Sequence, residues 1–163
     1  MILIWHWLTY LELKATFGAG CFWHVEDLLN KTKGVKSTAV GYIGGQLPNP
    51  TYEEVCTDKT GHAEAVEVDY DPDEISFEEL LDVFWSNHNP TTLNRQGPDV
   101  GIQYRSAIFY HDENQKEIAE NSKQSQEKSG KYDNPIVTEI IPAPTFYKAE
   151  EYHQKYFKKH GFS

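Results

Sequence analysis

Sulfur is scarce in this 163-residue chain, which has two cysteines, Cys21 and Cys56, and one methionine, Met1. Two cysteines cannot build a disulfide scaffold, so a reducing, cytoplasmic location is expected. Positive charge is also short: 15 Lys and Arg stand against 25 Asp and Glu, for a formal net charge of −10. That balance excludes nucleic acid as a partner, because affinity for it comes mostly from neutralising phosphates with Lys and Arg. It equally excludes a polybasic membrane contact. No Cys-x-x-Cys or His-x-x-x-His pair occurs, so no metal is expected. No apolar run is long enough to span a bilayer. Met1–Leu13 is apolar but short and interrupted by His6. It lacks the basic leader and small-residue cleavage site of a signal peptide. Residues 1–14 are therefore set apart as an extension, read as an ordered strand, and 15–163 as a single domain. The length suits one domain and is enough to bury a core.

What is present is a regular alternation of strand-like and helix-like segments. Leu11–Gly18 reads as a strand, and Phe22–Lys31 as a helix closed by Gly34 with Lys31 and Lys33 in its last turn. Val35–Ile43 is a second strand. A Gly/Pro-rich loop from Gly44 to Gly61 follows, with a helical turn over Tyr52–Val55. Glu64–Tyr70 is a third strand. Ser76 and Glu79 form a capping box before an apolar stripe that runs to His88. A second long loop, Asn89–Gly101, precedes a fourth strand over Ile102–Tyr110. Asp112 caps a polar surface helix ending near Gly130. Ile136–Ile141 is a fifth strand. Ala149, Tyr152, His153, Tyr156 and Phe157 then fall at helical spacing, which predicts a last helix. The order β-α-β-β-α-β predicts an α+β fold with a two-layer ferredoxin-like core and mixed sheet, extended by helix, strand and helix. Two long loops in so compact a domain direct attention to themselves and to the first strand–helix turn.

In that turn, Gly18-Ala19-Gly20-Cys21-Phe22-Trp23, glycine permits a sharp bend and Cys21 falls at the helix start. Unpaired amides and the helix dipole there favour an anion, which predicts a lowered thiol pKa and a nucleophilic sulfur. The bland alternative is a buried, inert cysteine. In Gly61–Tyr70, residues of like parity share a strand face, so Glu64 lies with Val66, Val68 and Tyr70. A carboxyl group on an apolar face holds its proton toward neutral pH and serves as a general acid. Glu64 at a frayed strand end, or paired with His62, is the open alternative. His62-Ala63-Glu64 is not a zinc deaminase motif, since no Pro-Cys-x-x-Cys follows. Tyr52, Asp99 and Tyr104 each sit in or beside a long loop and, taken singly, carry no chemistry.

Together these segments resemble the A-type peptide methionine sulfoxide reductases. The resemblance runs from about Ala15 to His160 and rests on an ordered set of motifs. They are Gly20-Cys21-Phe22-Trp23, Asn49-Pro50-Thr51-Tyr52, Glu54-Val55-Cys56, Gly61-His62-Ala63-Glu64, Gln103-Tyr104-Arg105-Ser106 and Tyr152-His153-Gln154. It implies that Cys21 attacks the sulfur of methionine S-sulfoxide while Glu64 protonates the oxygen. Tyr52 and Tyr104 would hydrogen-bond that oxygen, Phe22 and Trp23 would bind the S-methyl group, and Asp99 would complete the site. Cys21 would become a sulfenic acid. The resemblance implies no bound cofactor, recycling by thioredoxin, glutaredoxin or a small-molecule thiol, oxidised proteins or peptides as substrates, and a monomer. His24 replaces a common Gly and Pro98 a common Asn, both at the pocket rim. Many relatives carry a resolving cysteine in a C-terminal tail, and this chain has none after Cys56, which leaves Cys56 or an external thiol for that step. Two other classes stay open: a general thiol peroxidase or thiol–disulfide oxidoreductase, and a binding domain with an inert Cys21.

Overall fold

The computed structural model describes residues 13–161. The strand expected over 1–14 falls largely on residues 1–12, outside the described residues; Leu13 and Lys14 open the first strand.

The elements, in order, are β1 (Leu13–Ala19), α1 (Phe22–Asn30), β2 (Val35–Ile43), α2 (Tyr52–Cys56), β3 (Ala63–Tyr70), α3 (Phe77–Ser86), β4 (Arg95–Gln96) and β5 (Asp99–Val100). There follow β6 (Ser106–Tyr110), α4 (Glu113–Lys128), β7 (Glu139–Pro142), β8 (Tyr147–Lys148) and α5 (Tyr156–Lys159). The main sheet runs β7-β6-β1-β3-β2-β8. Its four inner strands, β6-β1-β3-β2, are antiparallel and make the expected ferredoxin-like order. β7 lies parallel to β6, so the sheet is mixed. One face carries the main core: Phe17, Val66, Val68 and Ile108 pack with Phe22 and Leu29 of α1 and with Leu80, Phe84 and Trp85 of α3. A smaller cluster of Ile43, Ala63, Ala65, Ala107 and Phe109 lies on the other face under Ile141, Ala143 and Phe146. The Ser76–Glu79 capping box and the Asp112 cap form as expected. Among the described residues no helix is long and apolar enough to cross a membrane.

Four expectations need correction. α1 stops at Asn30, without a basic last turn, and Gly34 (φ 95°) instead turns the chain into β2. The 89–101 loop contains the β4–β5 hairpin. Ile102–Tyr104 is a 3-10 turn, and β6 begins only at Ser106. The expected 136–141 strand forms at Glu139–Pro142, where the backbone first reaches β6; Val137 N–H is taken by Pro90 O at 2.8 Å.

The largest departure is at the C-terminus. The predicted amphipathic helix is a strand, β8, then a 3-10 turn over Glu151–His153, then the four-residue α5. Lys155, in left-handed conformation at φ 52°, breaks it. The apolar spacing exists, but Glu26 of α1 claims the Lys155 N–H that a continuous helix would need.

Candidate active site

β1 delivers the chain to the site. Gly20 (φ 96°) makes the bend, a conformation L side chains rarely adopt, and a Cβ there would meet Gln96 at 2.8 Å. Cys21 follows as the N-cap of α1. The amides of Trp23 and His24 lie near enough to favour its thiolate, but no cap hydrogen bond closes. Burial outweighs them, and with the nearby carboxylates of Glu64 and Asp99 it pushes the thiol up to about 11. The expected lowering of the Cys21 pKa is therefore overturned for the resting protein: desolvation beats the helix N-terminus.

Glu64 is where parity puts it, 1% exposed on the core face of β3. Its Oε1 accepts the Phe22 N–H at 3.2 Å, which places the carboxyl against the residue after Cys21. Burial raises its pKa to about 8, partly offset by that amide and reinforced by Asp99. The frayed-end alternative fails, and so does pairing with His62. The His62 ring accepts from Gly45 N–H through Nδ1 at 2.9 Å and reaches Leu47 O through Nε2 at 2.7 Å, tying down the Gly-rich loop instead.

That loop ends in α2, whose Thr51–Glu54 capping box starts the helix at Tyr52. Glu150 anchors this start from the C-terminal segment, accepting Tyr52 N–H at 3.0 Å and the Tyr42 hydroxyl at 2.9 Å. The Tyr52 hydroxyl interacts with the Cys56 sulfur one turn on, and burial raises the pKa of both groups. Tyr104 ends the 3-10 turn. Its pKa is pushed up to about 12 by burial, then by the charges of Glu64, Asp99 and both cysteines, all within electrostatic reach. Asp58 joins the two tyrosine carriers: its carboxylate, just past α2, accepts Ile102 N–H at 2.6 Å.

Phe22 is buried in the core, whereas Trp23 is half-buried. The Trp23 indole N–H donates to Nδ1 of His153 at 3.0 Å, and its ring stacks on Tyr156 at 3.8 Å and 8°. His153 also packs against Phe22 and Tyr52, with centroids 5.3 and 4.5 Å apart. With Nδ1 accepting, the His153 proton sits on Nε2, buried without a protein partner. Beyond Cys21 opens a cleft of about 430 Å³, with Val25, Leu28 and Phe84 in its wall and His24, Pro98 and Asp99 at its margin. His24 stands edge-on to Phe157 at 4.6 Å.

The structure thus brings Cys21, Glu64, Tyr52, Tyr104, Asp99 and Trp23 together and puts Phe22 beneath them. Cys56 lies exposed at the end of α2, and both cysteines are free. Sequence reasoning missed Glu150, Asp58 and the roles of His153 and Tyr156. Tyr156 was visible only as a member of an apolar stripe, and His153 only there and in the Tyr152-His153-Gln154 motif, with no role attached. Among the described residues no group of three His, Cys, Asp or Glu side chains is placed to hold a metal ion.

A thiol at a helix start, facing a protonated acid and two phenols, is a constellation suited to redox chemistry on sulfur. The family model described as peptide methionine sulfoxide reductase matches residues 13–162. The peptide methionine sulfoxide reductase MsrA of Methanothermobacter thermautotrophicus is 64% identical over 146 residues, covering 90% of this chain and 86% of that protein. Mxr1 of Saccharomyces cerevisiae in reduced form superposes with a TM-score of 0.84 at 38% identity, covering 93% of this chain and 87% of that one. The same yeast protein in complex with Trx2 superposes at 0.61 and 30% identity, covering 89% and 84%. The chain belongs to the peptide methionine sulfoxide reductase family, an oxidoreductase family acting on sulfur.

Proposed function

We propose that this protein reduces the S epimer of methionine sulfoxide, in oxidised proteins and peptides and as the free amino acid, through a sulfenic acid on Cys21. The observation that carries the reading is Glu64. It is a buried carboxyl group that keeps its proton to about pH 8, one hydrogen bond from the residue after the thiol.

A sulfoxide oxygen leaves poorly unless it is protonated as the sulfur is attacked. Glu64 gives its proton to that oxygen while Tyr52 and Tyr104 donate hydrogen bonds to it, an electrostatic assist of the oxyanion-hole type. Cys21 sulfur attacks, and its own proton returns to Glu64. The methionine S–O bond breaks and a Cys21 S–O bond forms, so methionine sulfur gains two electrons and Cys21 sulfur loses two. Products are the thioether and Cys21 sulfenic acid. The resting thiol, held near pKa 11, is neutral beside a neutral acid. The chemistry therefore begins from an uncharged pair and needs no preformed thiolate. Trp23, with Phe22 beneath it, packs the S-methyl group and so fixes the epimer. Asp99 lines the same cleft as Cys21, where it meets the rest of the substrate.

One external thiol then condenses with the sulfenic acid to a mixed disulfide and water, and a second releases Cys21. The yeast relative's complex with Trx2 supports a thioredoxin-like donor, with glutaredoxin or a small thiol as substitutes. A monomer in a reducing cytoplasm fits this cycle. Cys56 supports a second reading of the resolving step, because it is exposed and contacts Tyr52.

Two measurements test the two levels. Methionine should form from the S-sulfoxide and not from the R epimer with each thiol donor in turn; equal turnover of both epimers would refute the reading. After a single turnover without reductant, mass spectrometry should find Cys21 sulfenic acid. A Cys21–Cys56 linkage would instead make Cys56 the resolver.

A further inference from the structure

Two carboxylates are buried among the described residues, Glu64 and Glu26, each 1% exposed. The chemistry above uses the first and leaves the second without a role. Glu26 lies on α1, one turn beyond Trp23. Its Oε2 accepts the Thr38 hydroxyl from β2 at 2.9 Å, and its Oε1 accepts the backbone N–H of Lys155 at 2.5 Å.

Lys155 is the corner of the C-terminal wall. It holds φ 52° and ψ 41°, a conformation disfavoured for any residue with a Cβ. Immediately before the corner, the Gln154 carboxamide is fixed to Val40 N and O, each at 2.9 Å. On either side of it stand His153 and Tyr156, the two groups that meet the Trp23 indole at its edge and its face. A buried carboxyl group is costly unless its oxygens are paired, and here both are, one of them by the Lys155 amide.

We propose that Glu26 is a positioning residue: by holding the left-handed Lys155 peptide it sets His153 and Tyr156 against Trp23, and so fixes the wall for the substrate's S-methyl group. The inference rests on the reading of Trp23 given above. Glu26 touches no substrate atom in this account. Its loss should weaken binding and leave the proton transfer by Glu64 in place.

The test works from both partners. Glu26→Gln keeps an oxygen for Lys155 N–H and an amide for Thr38, and Lys155→Gly keeps the N–H and relaxes the corner. Both should behave like the parent. Glu26→Leu removes the acceptor, and Lys155→Pro removes the N–H and forbids positive φ. Each should raise KM for methionine S-sulfoxide roughly tenfold, the scale set by loss of packing around one small apolar group. In both, kcat should stay within about threefold, and the Trp23 indole N–H resonance, assigned with Trp23→Phe, should move upfield. Folded Leu and Pro variants with parental KM and an unmoved resonance would overturn the proposal. Should neither fold, the unaltered protein decides: the Lys155 amide must exchange slowly with solvent, and exchange at the rate of a free amide excludes the latch. If the protein reduces no S-sulfoxide at all, the functional reading falls, while the resonance and the exchange rate still report on the latch.

Discussion

The strand–helix turn carrying Cys21 and the C-terminal segment carrying His153 meet at Trp23, and they are built in opposite ways. The turn is placed by backbone: β1 sits between β3 and β6 in two continuous ladders, and Gly20 makes the bend. The wall has almost no regular structure after Lys148. Side chains hold it: Gln154 on Val40, Glu150 on Tyr52 and Tyr42, and Glu26 on Lys155. This division implies a functional one. Changes at the turn and at its facing acid should strike the chemical step, whereas changes in the wall should strike binding and local stability.

The largest expected effect sharpens the first half of that contrast. Glu64→Gln keeps an acceptor for Phe22 N–H but has no acidic proton, so the rate of methionine formation should fall about 10²–10⁴-fold, the usual worth of a general acid. The same variant should be the more stable protein in alkali. Because the folded pKa lies near 8, above the ordinary carboxyl value, stability that depends on the bound proton is full below that ordinary value, falls as pH rises from it, and is fully lost once pH passes about 8. Thermal melts at pH 6 and pH 9 should therefore diverge between parent and variant, with the gap wider at pH 9.

Gln154→Ala attacks the wall. It strips the Gln154 partner from Val40 N and Ala149 O in a buried place, while Val40 O keeps the Ala149 N–H. A loss on the order of 3 kcal/mol in denaturant unfolding is expected, since stranded buried polar groups are expensive. KM should rise more than kcat falls, and the reverse pattern would break the division between the two regions. A smaller effect tests their seam. Tyr52 belongs to the oxygen-binding group, yet its backbone is anchored by the wall through Glu150. Tyr52→Phe keeps the anchor and removes one hydroxyl, so kcat should fall about tenfold with KM nearly unchanged, in line with one of two redundant donors.

The same contrast explains what could be read from the chain. β1, α1, β2, β3, α3 and α4 announce themselves because their hydrogen bonds are regular and their burial is periodic. The parity that places Glu64 among Val66 and Val68 is one consequence. The wall is invisible to such reasoning. Gln154 finds Val40 across 114 positions, and Lys155 finds Glu26 across 129. No window of sequence holds both partners, and the apolar stripe from Ala149 to Phe157 reads as a helix. The 102–104 segment misleads likewise, because Asp58, 44 positions away, takes the Ile102 amide. At Cys21 the helix start was legible, but the burial and carboxylates that govern its pKa were not.

A resting thiol near pKa 11, judged alone, belongs to an inert cysteine; beside a neutral Glu64 it becomes half of a reactive pair. The pH dependence of the single-turnover rate of methionine formation tests that claim most directly. The uncharged pair predicts a rate that is flat below about pH 8 and falls about tenfold per unit above it as Glu64 loses its proton. In Glu64→Gln that falling limb should vanish. A parent rate that instead climbs steadily from pH 8 toward pH 10, following thiolate formation, would contradict the account.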